Sequence, residues 1–443
     1  MATTPQGSGR IGWIVLGSLA TGLVVAVVLV AAPFIEAEEN VLTGVVLLGF
    51  ALGWALLAVL SVKFSDQPQR WAAAPAVFMG LSGGILLIGS DALVHDVLAW
   101  VWPPALLVLV VWMFIQARRQ LHSRTRRWVL YPVLAALTLA SVGAGYETVR
   151  ESVDANVYAM PGQLVDVGGH KLHLYCTGSG SPTVVLEPGA GEMSSFFGWI
   201  APEVARDTRV CVYDRAGRGW SESADVPQDG AQIATDLHTL LDREHIPGPY
   251  VLAGHSFGGL YVLTFAARYP DEVAGMVLLD STAPASDTSP PDGAASYDVM
   301  GRVSALLSAS ARLGLGRLLG QFSYGSLPSQ SRDEARASMA TASQVGSTVD
   351  EYAEATSSMD EAQSLRDFDA KPLIVLTAGR GHDAEWLSAQ DDLATLSTNS
   401  LHRVVAEATH ASLIEDEGDA AATSQAIRDV VASVRTSTPL TEP

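Results

Sequence analysis

The chain has 443 residues, nearly half of them hydrophobic, and a formal net charge of −20, a length that leaves room for two or three domains. The charge is uneven: residues 1–150 hold nine basic and seven acidic residues, whereas the remainder holds 18 basic and 40 acidic ones. A surface that acidic repels phosphate backbones and anionic lipid headgroups, which excludes a nucleic-acid partner.

Five uncharged apolar runs come first, at about 11–33, 41–62, 71–90, 97–115 and 128–146. Each has about the 20 residues that carry a helix across roughly 30 Å of hydrocarbon. Residues 1–146 are therefore expected to form an all-α region that crosses a bilayer five times. The first run is too long, and followed by too many others, to be a cleaved signal peptide.

The intervening loops alternate in charge. Arg10 precedes the first run, and Glu36, Glu38 and Glu39 follow it. Lys63 and Arg70 flank the second loop, Asp91 and Asp96 mark the third, and Arg118, Arg119, Arg124, Arg126 and Arg127 fill the fourth. Basic loops stay on the cytoplasmic side, so a multi-pass protein of the cell membrane is expected, its N-terminus cytoplasmic and everything beyond residue 146 extracytoplasmic. The fifth run holds Pro132 and several small residues; if it did not cross, the C-terminal part would be cytoplasmic, and the arginines before it argue against that. Asp91, His95 and Asp96 read as a short external loop, since two carboxylates and one imidazole fix no complete metal shell.

Residues 147–162 read as a linker. Beyond them short β-type runs, at 163–167, 171–176, 183–187, 209–213, 250–253, 275–279, 372–377 and 401–405, alternate with helical stretches. That alternation predicts a mainly parallel sheet covered by helices.

The fifth run leads into Gly254-His255-Ser256-Phe257-Gly258-Gly259, and a helical stretch follows. A strand, a G-x-S-x-G turn and a helix in that order present a serine hydroxyl on a sharp turn. The N–H of Phe257 then lies at a helix N-terminus, suited to an oxyanion. Two further motifs occur upstream: Leu186-Glu187-Pro188-Gly189-Ala190-Gly191 after the third run, and Tyr213-Asp214-Arg215-Ala216-Gly217-Arg218-Gly219-Trp220-Ser221 after the fourth.

Together these motifs make residues 163–434 resemble the α/β-hydrolase superfamily. The resemblance implies an eight-stranded, mainly parallel sheet with helices on both faces and a helical cap. The core would be 163–280 and 371–436, the cap 281–370 and the tail 437–443. Ser256 would be the nucleophile, with Ala190 and Phe257 as oxyanion donors; Pro188-Gly189 stands where the family usually has His-Gly. The Asp214 to Ser221 turn would be structural, with Asp214 and Arg215 an ion pair. The base should follow the last strand, where His410 stands in Ala408-Thr409-His410-Ala411-Ser412-Leu413. His255 is expected to point away from the nucleophile, and His170, His173, His238, His245 and His382 to be ordinary surface or turn residues.

Two carboxylates fit the order Ser, Asp, His. Asp280 ends the sixth strand, and Asp383 lies after the seventh; a strand end positions a carboxylate more rigidly than a Gly-flanked loop, which favours Asp280. Helical stretches at 299–322 and 332–368 would form the cap, with Leu306, Leu307, Leu313, Leu315, Leu318 and Leu319 either lining an acyl pocket or packing the cap down. In the family's strand order the strands carrying Cys176 and Cys211 are neighbours, so the two cysteines are a disulfide candidate.

The implied activity is hydrolysis of an ester, thioester or amide of a small or lipid-like acyl compound through an acyl-enzyme, without metal or cofactor. Serine at the nucleophile position argues against epoxide hydrolase and haloalkane dehalogenase chemistry. The alternatives are an acyltransferase on the same residues and a non-catalytic receptor domain on a membrane anchor.

Overall fold

The computed structural model describes residues 10–89, 92–121, 124–284 and 293–442, excluding the side chains of 92–95, 124–128 and 293–298. Asp91, and the side chains of His95, Arg124, Arg126 and Arg127, lie outside the described residues.

Five helices open the chain: α1 (Arg10–Val30), α2 (Glu39–Phe64), α3 (Ala73–Ile88), α4 (Ala92–Gln120) and α5 (Arg124–Val157). The stretches Arg10–Val30, Glu39–Phe64, Arg70–Ile88, Asp96–Gln120 and Val129–Val157 are long and apolar enough to cross a membrane. The linker expected over 147–162 is helical as far as Val157. Its charges explain why: Arg150 pairs with Asp154 one turn on at 2.9 Å, a spacing that supports a helix.

The sheet follows as β1 (Gln163–Asp166), β2 (Lys171–Thr177), β3 (Val184–Glu187), β4 (Val210–Tyr213), β5 (Tyr250–His255), β6 (Val273–Leu279), β7 (Leu373–Ala378) and β8 (Ser400–Val405). All eight lie within two residues of the strands expected from sequence. They pair in the order β1-β2-β4-β3-β5-β6-β7-β8. β2 runs antiparallel to both its neighbours and the remaining pairs are parallel. The central strands are fully buried because helices cover both faces, as parallel sheets require. On β5, Leu252 packs into one core while Val251 and Ala253 pack into the other. The first core includes α7 (Gly230–Arg243) and α8 (Phe257–Arg268). The second includes α6 (Ile200–Val204), α15 (Ser412–Glu415) and α16 (Glu417–Thr436).

Between β6 and β7 lie α9 (Gly293–Ala311), α10 (Leu315–Gly320), α11 (Ser329–Ser338), α12 (Ala342–Ala353) and α13 (Ala355–Ala362), and α14 (Ala384–Ala394) follows β7. The described residues of the expected cap, 281–370, do not stay together. The chain divides into two compact units, and Ala294–Leu318 groups with the N-terminal helices whereas Leu319 onward groups with the sheet. Arg302 on α9 binds carbonyl oxygens at and just beyond the end of α1. Leu306, Leu307, Leu315 and Leu318 therefore belong to the helical unit and are exposed there. Leu313, also in that unit, is part-buried, and Leu319 is exposed in the hydrolase unit.

Cys176 and Cys211 face each other across the β2–β4 pair and are joined as a disulfide 35 residues apart. Thiol titration of the denatured, unreduced protein is expected to find no free thiol. Reduction should cost about 3–4 kcal/mol on the chain-entropy account of a loop this long. Two free thiols would remove the bridge.

Candidate active site at the carboxyl edge of the sheet

Ser256 joins β5 directly to α8 with φ 53° and ψ −122°, a conformation that costs a non-glycine residue about 1–3 kcal/mol. The neighbouring glycines make the turn possible. A Cβ on Gly254 would lie 2.4 Å from the Gly258 carbonyl oxygen, and one on Gly258 would lie 2.3 Å from that of Glu187. A Cβ on Gly189 would come within 2.9 Å of the Ser256 Cβ, so the β3 turn passes close to the serine. Backbone hydrogen bonds tie the elbow to the end of β6, from Ser256 N–H to Leu279 and from Thr282 N–H to Ser256.

Asp280 stands at that end, with φ 43° and a fully buried side chain. Its carboxylate accepts four hydrogen bonds. Oδ1 takes Ala378 N–H at 3.2 Å and Trp386 Nε1–H at 3.1 Å. Oδ2 takes His410 Nδ1–H and His382 Nε2–H, each at 2.6 Å. Burial alone would raise the Asp280 pKa, but the hydrogen bonds of His410 and Trp386 outweigh it and hold the carboxyl below its ordinary value. Asp383 is elsewhere engaged: its side chain caps α14 by accepting the Trp386 N–H. The structure thus joins His410 to Asp280 and not to Asp383.

His382 is the residue that sequence reasoning missed. Expected to be an ordinary turn histidine, it shares an oxygen of Asp280 with His410 and stacks on Trp386 with ring centroids 4.7 Å apart. Its position directly after β7, where many α/β-hydrolases keep an acid, was the available signal. Asp280, His382 and His410 also offer three ligand atoms close together, but the 2.6 Å spacings are those of charge-assisted hydrogen bonds.

His255 does not face the Ser256 hydroxyl. It is fully buried, with Nδ1 bonded to Glu192 at 3.0 Å and Nε2 to the carbonyl of His410 at 3.1 Å. Burial would lower its pKa, yet the Glu192 charge outweighs this and the net shift is upward. Glu192 also accepts the Gly189 N–H at 2.6 Å, and Gly191 N–H goes to Glu351 at 3.0 Å. Between these two tied amides stands Ala190. Among the described residues, neither its N–H nor that of Phe257 has an acceptor.

Asp214 and Arg215 do not pair with each other, contrary to expectation. As consecutive residues leaving β4, their side chains diverge. Asp214 accepts from His173 at 2.8 Å and from the Ser194 N–H at 2.7 Å, which also removes His173 from the surface residues. Arg215 binds Glu187 at 2.6 Å, Glu351 of α12 at 2.7 Å, and the carbonyls of Pro188 and Gly189 at 2.7 Å each. Arg218 meets the same Glu351 at 2.6 Å. Burial pushes Glu187 up to about 7 against the pull of Arg215. This buried network fixes the turn that carries Ala190 and anchors α12 to it. Arg215→Met strands the buried Glu187 carboxylate and leaves Glu351 to Arg218 alone, and is expected to destabilise the hydrolase unit by about 3–5 kcal/mol. Arg206→Met, which breaks an exposed pair with Glu203, should cost less than about 1 kcal/mol in the same thermal melts.

A family model described as alpha/beta hydrolase fold matches residues 182–417. The chain belongs to the α/β-hydrolase fold family. An uncharacterized protein of Schizosaccharomyces pombe is 29% identical over 364 residues, covering 74% of this chain and 64% of its own length. That share of the α/β-hydrolase chain is longer than the sheet-bearing portion alone, so the match extends into the N-terminal helices. The 2-hydroxy-6-oxo-2,4-heptadienoate hydrolase of Pseudomonas putida is 33% identical over 132 residues, 28% of this chain and 46% of that enzyme. The chain thus spans less than two thirds of the length of these curated relatives. Among solved structures, a mutant of a putative epoxide hydrolase from Pseudomonas aeruginosa is 21% identical with a TM-score of 0.51, covering 62% of this chain and 96% of that one. The likeness is one of fold.

Proposed function

We propose that this α/β-hydrolase is a serine hydrolase that cleaves an acyl ester, thioester or amide. Ser256 is the nucleophile, His410 the base and Asp280 the acid. The observation that carries the reading is the Asp280–His410 hydrogen bond beside a strained serine elbow. With Nδ1 held by Asp280, the imidazole offers Nε2 to the Ser256 hydroxyl. His410 takes the proton as Ser256 Oγ attacks the carbonyl carbon. The N–H groups of Phe257 and Ala190 receive the oxyanion. The proton then passes to the leaving group, and His410 next activates the water that cleaves the acyl-enzyme. Glu192, through Gly189, and Glu351, through Gly191, hold the amides on either side of Ala190.

A fluorophosphonate probe on the full-length protein tests this directly. Labelling that disappears in Ser256→Ala is the expected result, and an unlabelled, folded wild type would sink the proposal. A panel of esters of graded acyl length then assigns the substrate.

The charge alternation of the loops supports a topology with the N-terminus in the cytoplasm and the hydrolase portion outside. A reporter fused to the C-terminus is expected to be inactive if it requires the cytoplasm. Cytoplasmic signal would reverse the topology.

A further inference from the structure

The helix α9 is apolar on the wrong side for a protein surface in water. Val299, Val303, Leu306 and Leu307 fall at i, i+4, i+7 and i+8, one continuous face, and all four are exposed, Val299 by 59%. The opposite face is buried and holds Arg302, Ser304, Ala305, Ser308 and Ala311. A helix at a water interface shows the reverse pattern, with apolar residues inward. Outward apolar and inward small or polar residues match a solvent that is hydrocarbon. The exposed faces of the apolar helices read the same way, as at Val27 and Val28, each 59% exposed.

Three arginines fix where this segment sits in the helical unit. Arg302 donates to the carbonyls of Val30, Ala32 and Ile35, at and just beyond the end of α1, where a helix leaves carbonyls without partners inside it. Arg312 pairs with Glu39 at the start of α2. Arg317 takes Glu147 and Asp154 on α5, each at 2.8 Å. The backbone also approaches α5 closely: a Cβ on Gly143 would lie 2.2 Å from the carbonyl oxygen of Leu313. If the five helices cross a bilayer in turn, the end of α1, the start of α2 and the end of α5 emerge on the same side of it. The three anchors would then hold α9 at one level, the boundary of the hydrocarbon.

We propose that residues 299–318, an insertion in the hydrolase sequence, dock into the bilayer. The arginines face the helical unit, and Val299, Val303, Leu306 and Leu307 lie against the acyl chains near the headgroups. The inference rests on membrane insertion of the five helices and adds a sixth, interfacial lipid contact from the hydrolase insertion.

The described residues hold no free cysteine, so single-cysteine labelling is clean. Leu307→Cys and, separately, Val299→Cys would carry an NBD fluorophore in full-length protein reconstituted into phosphatidylcholine nanodiscs. Val24→Cys on α1 serves as the intramembrane control and Glu407→Cys as the aqueous one. The expected result is at least twofold quenching of both α9 probes by 5-doxyl phosphatidylcholine, less by 12-doxyl, with little quenching by iodide. If Val24 is quenched by the doxyl lipids and neither α9 probe is, the proposal is overturned: iodide quenching then means water, and resistance to both quenchers means a protein cover. An unquenched Val24 would instead overturn the membrane insertion beneath it.

Discussion

Ser256→Ala is expected to lower kcat/KM toward an ester substrate by a factor on the order of 10⁴–10⁶ while leaving the fold intact. The range follows from nucleophile removal in other serine hydrolases, where the oxyanion donors and binding retain a residual rate. Retention of the fold follows from the local structure. Ser256 is tied to its surroundings through its backbone N–H and carbonyl, which alanine keeps. The small cost or gain in stability should come from the left-handed φ alone. His410→Ala should fall in the same range, and the double variant should be no worse than either single one, because the two residues act as a unit. Steady-state kinetics beside a thermal melt checks this. Additive losses, or a Ser256→Ala protein with more than a few per cent of wild-type activity, would remove Ser256 from the chemistry.

Asp280→Asn should cost on the order of 10⁴ in kcat, whereas Asp383→Asn should stay within a few-fold of wild type. An amide at position 280 cannot accept from His410 Nδ1, His382 Nε2, Trp386 and Ala378 with the strength of a carboxylate, and its own NH₂ would oppose one donor. His410 would then hold the wrong tautomer, the origin of the large loss when a triad aspartate becomes asparagine. Asp383 caps α14 with one hydrogen bond, and asparagine caps nearly as well. A stability signature separates this from a general packing defect. Asp280 has a folded pKa below its unfolded value, near 3.9. Its ionisation therefore contributes stability that is fully present above the unfolded value and lost as pH falls through the folded one. The gap in melting temperature between wild type and Asp280→Asn should be widest near neutral pH and shrink below about pH 4. A gap independent of pH, or the reverse activity ranking of the two variants, would pass the acid role to Asp383.

His382 complicates the proposed dyad in an instructive way. Two imidazoles donate to one carboxylate oxygen, and the second came from a loop that sequence reasoning passed over. Its distance along the chain from Asp280, 102 residues, leaves no local pattern to read. The same holds for Glu351, 136 residues from Arg215, and for Glu192, 63 residues from His255. Each of these carboxylates looks like an ordinary helix or turn charge until the sheet order is known. The extension of α5 was missed for a different reason: polarity after residue 146 ends a hydrophobic run, but it does not end a helix whose charges pair at i, i+4 and bind Arg317.

The residues alone make the fold class and nearly every element legible, the extension of α5 apart. Strands buried on both faces read as short apolar runs between turn residues, because parallel sheets covered by helices demand this. Twenty-residue uncharged runs read as helical spans because they match the hydrocarbon thickness and a helix satisfies its backbone within the segment. The glycines around Ser256 are legible because only they let the backbone of β3 and α8 come so close. Tertiary structure alone decided which carboxylates meet which bases, that Asp214 and Arg215 part company, and that residues 294–318 leave the hydrolase unit for the helical one. Those outcomes depend on where Arg302, Arg215 and Asp280 find partners across 100 or more residues. A hydrophobic pattern has a local period, whereas an ion pair has none.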